Sequence, residues 1–154
     1  MNLLLRALPL LLPLIVRWAE REQKYILKNG VPLLEPSLSD AVAMGVMHPE
    51  RIRLLKVDRI PTPGNSFLHA LGRIAGLISD TTAGMTLYYG IFIRSEYWQD
   101  RQLIAHECVH TAQYERIGGL RSFLGRYLHE CLELGYLNSP MEQEAILKAS
   151  EIQG

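Results

Sequence analysis

The sequence predicts an α+β fold, mostly helical with a small sheet, and three observations carry that expectation. Strand-like composition is confined to two segments, residues 51–60 and 86–94. From residue 101 onward the chain reads as three helices separated by glycines. One polar group of side chains, histidines four apart with a glutamate between them, falls inside the first of these helices. At 154 residues the chain fits one domain and can bury a core without covalent staples. Its composition, 48% hydrophobic and 21% charged, excludes a disordered tail, a collagen-like repeat and a coiled coil.

The elements follow in order. Residues 14–28 can run as a helix ended by Asn29-Gly30, a good C-terminal stop. Ahead of it, residues 7–16 form an apolar run containing Pro9 and Pro13. That run is shorter than the ~20 residues a membrane-spanning helix needs. The segment after it, Arg17-Trp18-Ala19-Glu20-Arg21, is a poor cleavage site for a secretory signal. We therefore read residues 1–30 as a helical segment covering the core of a domain at 31–154, with an uncleaved or atypical signal as another reading. Arg6, Arg17, Arg21 and Lys24 with Trp18 would also suit peripheral contact of residues 1–24 with a lipid headgroup layer.

Residues 31–36 read as a loop, and Ser39 can cap a short helix over 40–44 stopped by Gly45. Residues 51–60 alternate charged and apolar side chains, a strand with one wetter face. Residues 65–78 carry Phe67, Leu68, Leu71, Ile74 and Leu77 at helical spacing. Residues 86–94 read as one strand whose Gly90 suggests close approach of another backbone, with Tyr88 and Tyr89 on opposite faces. Helices at 101–117, 120–134 and 141–151 complete the chain, stopped by Gly118-Gly119 and Gly135.

Charge and cysteine content narrow the partners. Sixteen basic residues balance sixteen acidic ones, so no basic field exists to hold a nucleic acid. Two cysteines, Cys108 and Cys131, form no disulfide framework, which suits a reducing, cytoplasmic setting.

The chemistry lies in His106-Glu107-Cys108-Val109-His110. Residues four apart share a helix face, so both imidazoles can reach one point. Glu107 flanks that point about 100° round. Two neutral imidazoles and a carboxylate able to reach a metal-bound water suit zinc. Cys108 points about 200° away from His106 and belongs in the core; Cys131 reads as a second buried thiol. A catalytic zinc needs a third protein ligand, and acidic residues follow at several helical positions. Glu142, Glu144, Glu130 and His129 are the candidates. Glu142 also completes an S-x-x-E capping box with Ser139. Gln113 is open to orienting a ligand, to bonding Glu107 or to simple exposure. His48 and His69 have no partner at ligand spacing.

His106-Glu107-x-x-His110 is the H-E-x-x-H signature of the zincin metallopeptidases. The stretch from His106 to Arg116, followed by Gly135-Tyr136-Leu137-Asn138-Ser139-Pro140-Met141-Glu142-Gln143-Glu144-Ala145, resembles a group of small bacterial zincin-like proteins. The resemblance covers roughly residues 85–147. It implies a zincin-like fold whose active-site helix carries His106, Glu107 and His110. In the glutamate-ligand branch, the gluzincins, the third ligand lies on a later helix in an E-x-x-A pattern. Glu142-Gln143-Glu144-Ala145 matches it, with Ile146 where an acidic residue often follows. The resemblance thus implies one zinc per chain on His106, His110 and Glu142, with Glu107 as general base. Tyr136 would serve as a donor to a developing oxyanion, although it also reads as a packed hinge aromatic. A peptide or protein would be the substrate, aligned by the strand at 86–94. The competing expectation is a metal-binding zincin scaffold that performs no turnover and acts as a binding or assembly module.

Overall fold

The computed structural model describes residues 3–79 and 81–153. Ten principal elements follow one another: α1 (Leu3–Asn29), β1 (Val31–Pro32), α2 (Ser37–Ala43), β2 (Arg53–Val57), α3 (Ser66–Ile74), β3 (Gly84–Leu87), β4 (Gly90–Arg94), α4 (Arg101–Ile117), α5 (Leu120–Leu134) and α6 (Pro140–Ala149). The fold is α+β, mostly helical, with a mixed four-stranded sheet in the order β1-β2-β4-β3. β2 and β4 run parallel, and both outer pairings are antiparallel.

Side-chain alternation sets the layers. Leu54, Ile91 and Ile93 face a cluster that holds Ile104, Ala105, Cys108 and Val109 of α4 with Ala41 and Met44 around α2. Phe92 faces the opposite cluster, where Val16, Ala19 and Ile26 of α1 meet Phe123, Leu124 and Tyr127 of α5. The sheet is therefore covered on both sides, which explains why β4 is buried along most of its length. Arg101 fixes the start of α4. Its Nε and Nη2 donate to buried Asp40 of α2 at 2.6 and 2.9 Å, while Asp100 caps the helix by accepting from the Leu103 N–H at 2.9 Å.

Several expectations change. The first helix begins at Leu3 and runs through Pro9 and Pro13. A proline inside a helix removes one hydrogen bond. Here both rings lie four residues apart on the exposed face, so the carbonyls they orphan can turn to water, while Leu8 and Val16 hold the buried face. Residues 31–36 include the short strand β1. Ser39 lies inside α2 and does not cap it; its hydroxyl donates to Glu35 Oε2 at 2.6 Å. α3 stops before residue 78, because Gly76 adopts a left-handed φ of +82°.

The largest difference concerns 86–94, which is a hairpin and not one strand. Tyr88 and Tyr89 form its turn, and Tyr88 holds a φ of +62°, uncommon for a bulky residue. Its ring stacks between Tyr89 and Tyr114 at centroid distances of 4.4 and 5.4 Å. Thr111 Oγ1 donates to its carbonyl at 2.7 Å. These contacts hold a conformation that the local sequence does not favour, and they take both tyrosines out of the role of alternating strand residues.

The close backbone approach expected at Gly90 lies elsewhere. A Cβ at Gly90 would meet the Ile26 side chain at 3.0 Å, whereas one at Gly30 would lie 2.7 Å from the Ile26 carbonyl and 2.8 Å from the Leu54 carbonyl. Gly30 thus does more than end α1: it lets the chain turn flat against β2. Gly30→Ala should cost about 1–3 kcal/mol, as overpacking does, and lower Tm by roughly 2–12 °C in a thermal melt followed by circular dichroism.

Candidate metal centre

His106 and His110 project from α4 in adjacent turns, with ring centroids 5.1 Å apart. The carboxylate of Glu142, from the first turn of α6, inserts between them. Its Oε1 lies 2.7 Å from His106 Nε2, and its Oε2 lies 3.2 Å from His110 Nε2. Each residue offers one ligand atom, and these atoms lie within 4.8 Å of one another. Among the residues weighed as third ligand, the structure brings only Glu142 to the histidines. Glu144 instead bonds Gln113 and Arg116 at 2.7 and 3.0 Å. Glu130 pairs with Arg126, and exposed His129 with Glu133, both on α5 itself.

The capping expectation for Glu142 holds for its backbone alone. Ser139 Oγ accepts the Glu142 N–H at 3.2 Å, and Pro140 occupies the first turn. The side chain, freed from capping, is 1% exposed. An anion so buried requires compensation, and its side-chain partners are the two imidazoles and two phenols. Tyr127 donates to Oε2 at 2.7 Å and Tyr136 to Oε1 at 3.0 Å. Burial is the strongest influence on this carboxyl and raises its pKa. The hydrogen bonds from His106 and His110, the charge on His110 and the Tyr127 hydroxyl outweigh it together, holding the group well below the usual carboxylate range. For His110, burial lowers the pKa, but the bond to Glu142, the charges of Glu142 and Glu107 and the bond to Gln113 carry it to about 9.

Gln113 fixes the tautomer of His110. Its side-chain amide nitrogen donates to the Met141 carbonyl at 2.9 Å and to Glu144 Oε1 at 2.7 Å. Its oxygen must then face His110 Nδ1, at 2.8 Å. Nδ1 is therefore a donor whatever the charge on the ring, and Nε2, which faces the cluster centre, is the nitrogen that would ligate a metal on giving up its proton. Two imidazole nitrogens so presented, with a carboxylate that has no Lys or Arg partner, make a donor set that fits a divalent cation.

Glu107 lines the same cavity as both histidines. Thr86 of β3 donates to its Oε2 at 2.6 Å and also reaches its backbone carbonyl at 3.1 Å. A Cβ at Gly84 would lie 2.8 Å from Glu107 Oε1, so any side chain there would displace the carboxylate. Cys108 is fully buried away from the cluster and Cys131 is buried too; both are free thiols. His48 is exposed, and His69 meets Thr62 at 3.2 Å.

The motif-based reading did not reach Thr86, Gly84 and Tyr127. For Tyr127 a signal existed: it shares the inward stripe of α5 with Phe123, Leu124, Leu128 and Cys131 and is the one member with a strongly polar tip. No sequence signal joins Thr86 and Gly84 to Glu107, because the contact depends on how β3 lies across α4.

A scan against protein-family models, a search of curated proteins and a search of solved structures each returned no match.

Replacing Gln113 by Ala, or Tyr127 by Phe, should weaken divalent-metal binding about 10–100-fold, the usual cost of losing an outer support of a ligand. Calorimetric titration of each variant with zinc checks this; unchanged affinity would remove these residues from the site.

Proposed function

We propose that this chain is a zinc-dependent metallopeptidase of the zincin type. The observation that carries the reading is the convergence of His106, His110 and Glu142 beside a cavity that both histidines and Glu107 line. Two nitrogens and one carboxylate match a catalytic zinc with a position left for substrate or water. When bound, zinc supplies Lewis acidity toward a carbonyl and brings the pKa of a water toward neutrality. Glu107, held by Thr86, takes a proton from the attacking water as its oxygen bonds to the carbonyl carbon. It then delivers that proton to the nitrogen as the C–N bond breaks. Tyr136 lines the cavity with its hydroxyl 3.0 Å from Glu142 Oε1, where it can donate to the developing oxyanion.

The sheet supports a peptide substrate. β3 is an edge strand, and five consecutive residues, 83–87, line the cavity. Successive strand residues point to opposite faces, so five in a row line a space only when the strand borders it edge-on. An extended peptide could pair with that edge. The aligning element is thus β3, and not a continuous strand over 86–94.

A second property concerns α1. No helix among the described residues is long and apolar enough to cross a membrane. Leu3 and Leu10 are nonetheless 77% and 82% exposed, and five basic residues on α1 outnumber two acidic ones. We propose peripheral binding of this helix to an anionic lipid surface. Because Leu8, Val16, Ala19 and Ile26 are core residues, deleting the helix would damage the fold. Changing Leu3, Leu10 and Leu14 to Ser is the cleaner test: co-sedimentation with phosphatidylserine vesicles should be lost, and retention of binding overturns the proposal.

The primary test is metal content by elemental analysis. About one zinc per chain is expected, lost in His106→Ala and reduced in Glu142→Ala. Glu107→Gln should keep the zinc and lose about 10²–10⁴-fold in peptide hydrolysis. Gly84→Ala, which pushes the Glu107 carboxylate aside, should also keep the zinc and lose about 10²-fold. Zinc bound by the parent with no hydrolysis of any peptide would favour the metal-binding scaffold.

A further inference from the structure

The cavity that opens on the metal centre has a volume of about 620 Å³. Pockets of about 300–1,000 Å³ enclose drug-sized molecules, far more than one leucine side chain fills. Away from the ligands its walls include Trp18 of α1, Leu68 and Leu71 of α3, Met85 of β3, and Phe123 and Leu128 of α5. Among the described residues no Lys or Arg lines it, and its two wall acids, Glu107 and Asp100, are both engaged. Glu107 accepts from Thr86, and Asp100 caps α4.

We infer that the site accepts polypeptide segments carrying several consecutive large apolar residues beside the bond to be cleaved. The inference rests on the peptidase reading and names its substrate class. A charged side chain brought against these apolar walls would lose part of its water and meet no Lys or Arg, the polar wall groups being a minority that includes Ser79, Thr81, Thr82, Gln102 and Ser150. An aliphatic or aromatic one would exchange water for Leu, Met, Trp and Phe surface. The walls come from four elements, so the apolar contact spreads over neighbouring residues of an extended chain and is not confined to one pocket.

The test uses the full zinc-loaded chain and a series of peptides of equal length. Their central three residues are Leu-Leu-Leu, each single Ala replacement of it, or Asn-Asn-Asn. Cleavage is followed by mass spectrometry to obtain kcat/KM. Each Leu→Ala should cost at least about 10-fold, as lost methylenes do in an apolar site, at two or more positions, with Asn-Asn-Asn slowest. Met85→Lys and Leu68→Gln in the enzyme should narrow the difference between the Leu and Asn peptides. Loss at a single position only, or equal cleavage of the two peptides, overturns the inference. If no peptide is cleaved, the peptidase reading fails, and binding decides the cavity separately. Zinc-loaded Glu107→Gln should bind Leu-Leu-Leu at least about 10-fold more tightly than Asn-Asn-Asn by calorimetry, and equal or absent binding overturns the inference.

Discussion

A carboxylate almost wholly removed from water must be neutralised by groups that the protein itself supplies, and Glu142 imposes that demand on everything around it. Two imidazoles from α4, one phenol from α5 and one from the turn before α6 meet at its two oxygens. One of these donors is fixed in turn: His110 by Gln113, and Gln113 by the Met141 carbonyl and Glu144. The three C-terminal helices are thus joined at a polar point. Removing one donor from such a network leaves the others under-satisfied.

On the other side of α4 the constraint is steric. Glu107 belongs to the cavity only because β3 crosses α4 with a glycine at 84 and a threonine at 86. The sheet therefore has two tasks. Its buried strand β4 carries the core on both faces, and its edge strand β3 shapes the site. A column of stacked rings, Tyr89, Tyr88, Tyr114, Phe123 and Tyr127, runs from the hairpin turn to the carboxylate. It links the strand that holds Glu107 to the helix that helps hold Glu142.

How much of this was legible in the sequence depended on the range of the interaction. α4 was readable at both bounds, because helical spacing and the Gly118-Gly119 stop are local signals, and the structure adds the Asp100 cap. The pairing of His106 with His110 follows from helix geometry alone. Glu142 was one candidate among four until the packing of α6 on α4 selected it, and spacing could not tell it from Glu144. The hairpin at 84–94 was missed because Tyr88-Tyr89 is no turn sequence by local preference; tertiary stacking makes it one. Residues 1–30 read as a helical segment, but regular helix was legible only over 14–28, for the converse reason. Two prolines are strong local breakers, but both fall on the face where a lost hydrogen bond costs least. Thr86 and Gly84 depend wholly on register between strand and helix, for which the chain carries no local mark.

The order of His106, His110 and Glu142 along the chain has a consequence for biosynthesis. From residue 110 to residue 142 the ribosome must add thirty-two residues, about two to six seconds at ordinary synthesis rates. During that interval the nascent chain has both histidines but lacks the carboxylate that unites them. The cluster of His106, His110 and Glu142 therefore cannot close until α6 has emerged and docked on α4.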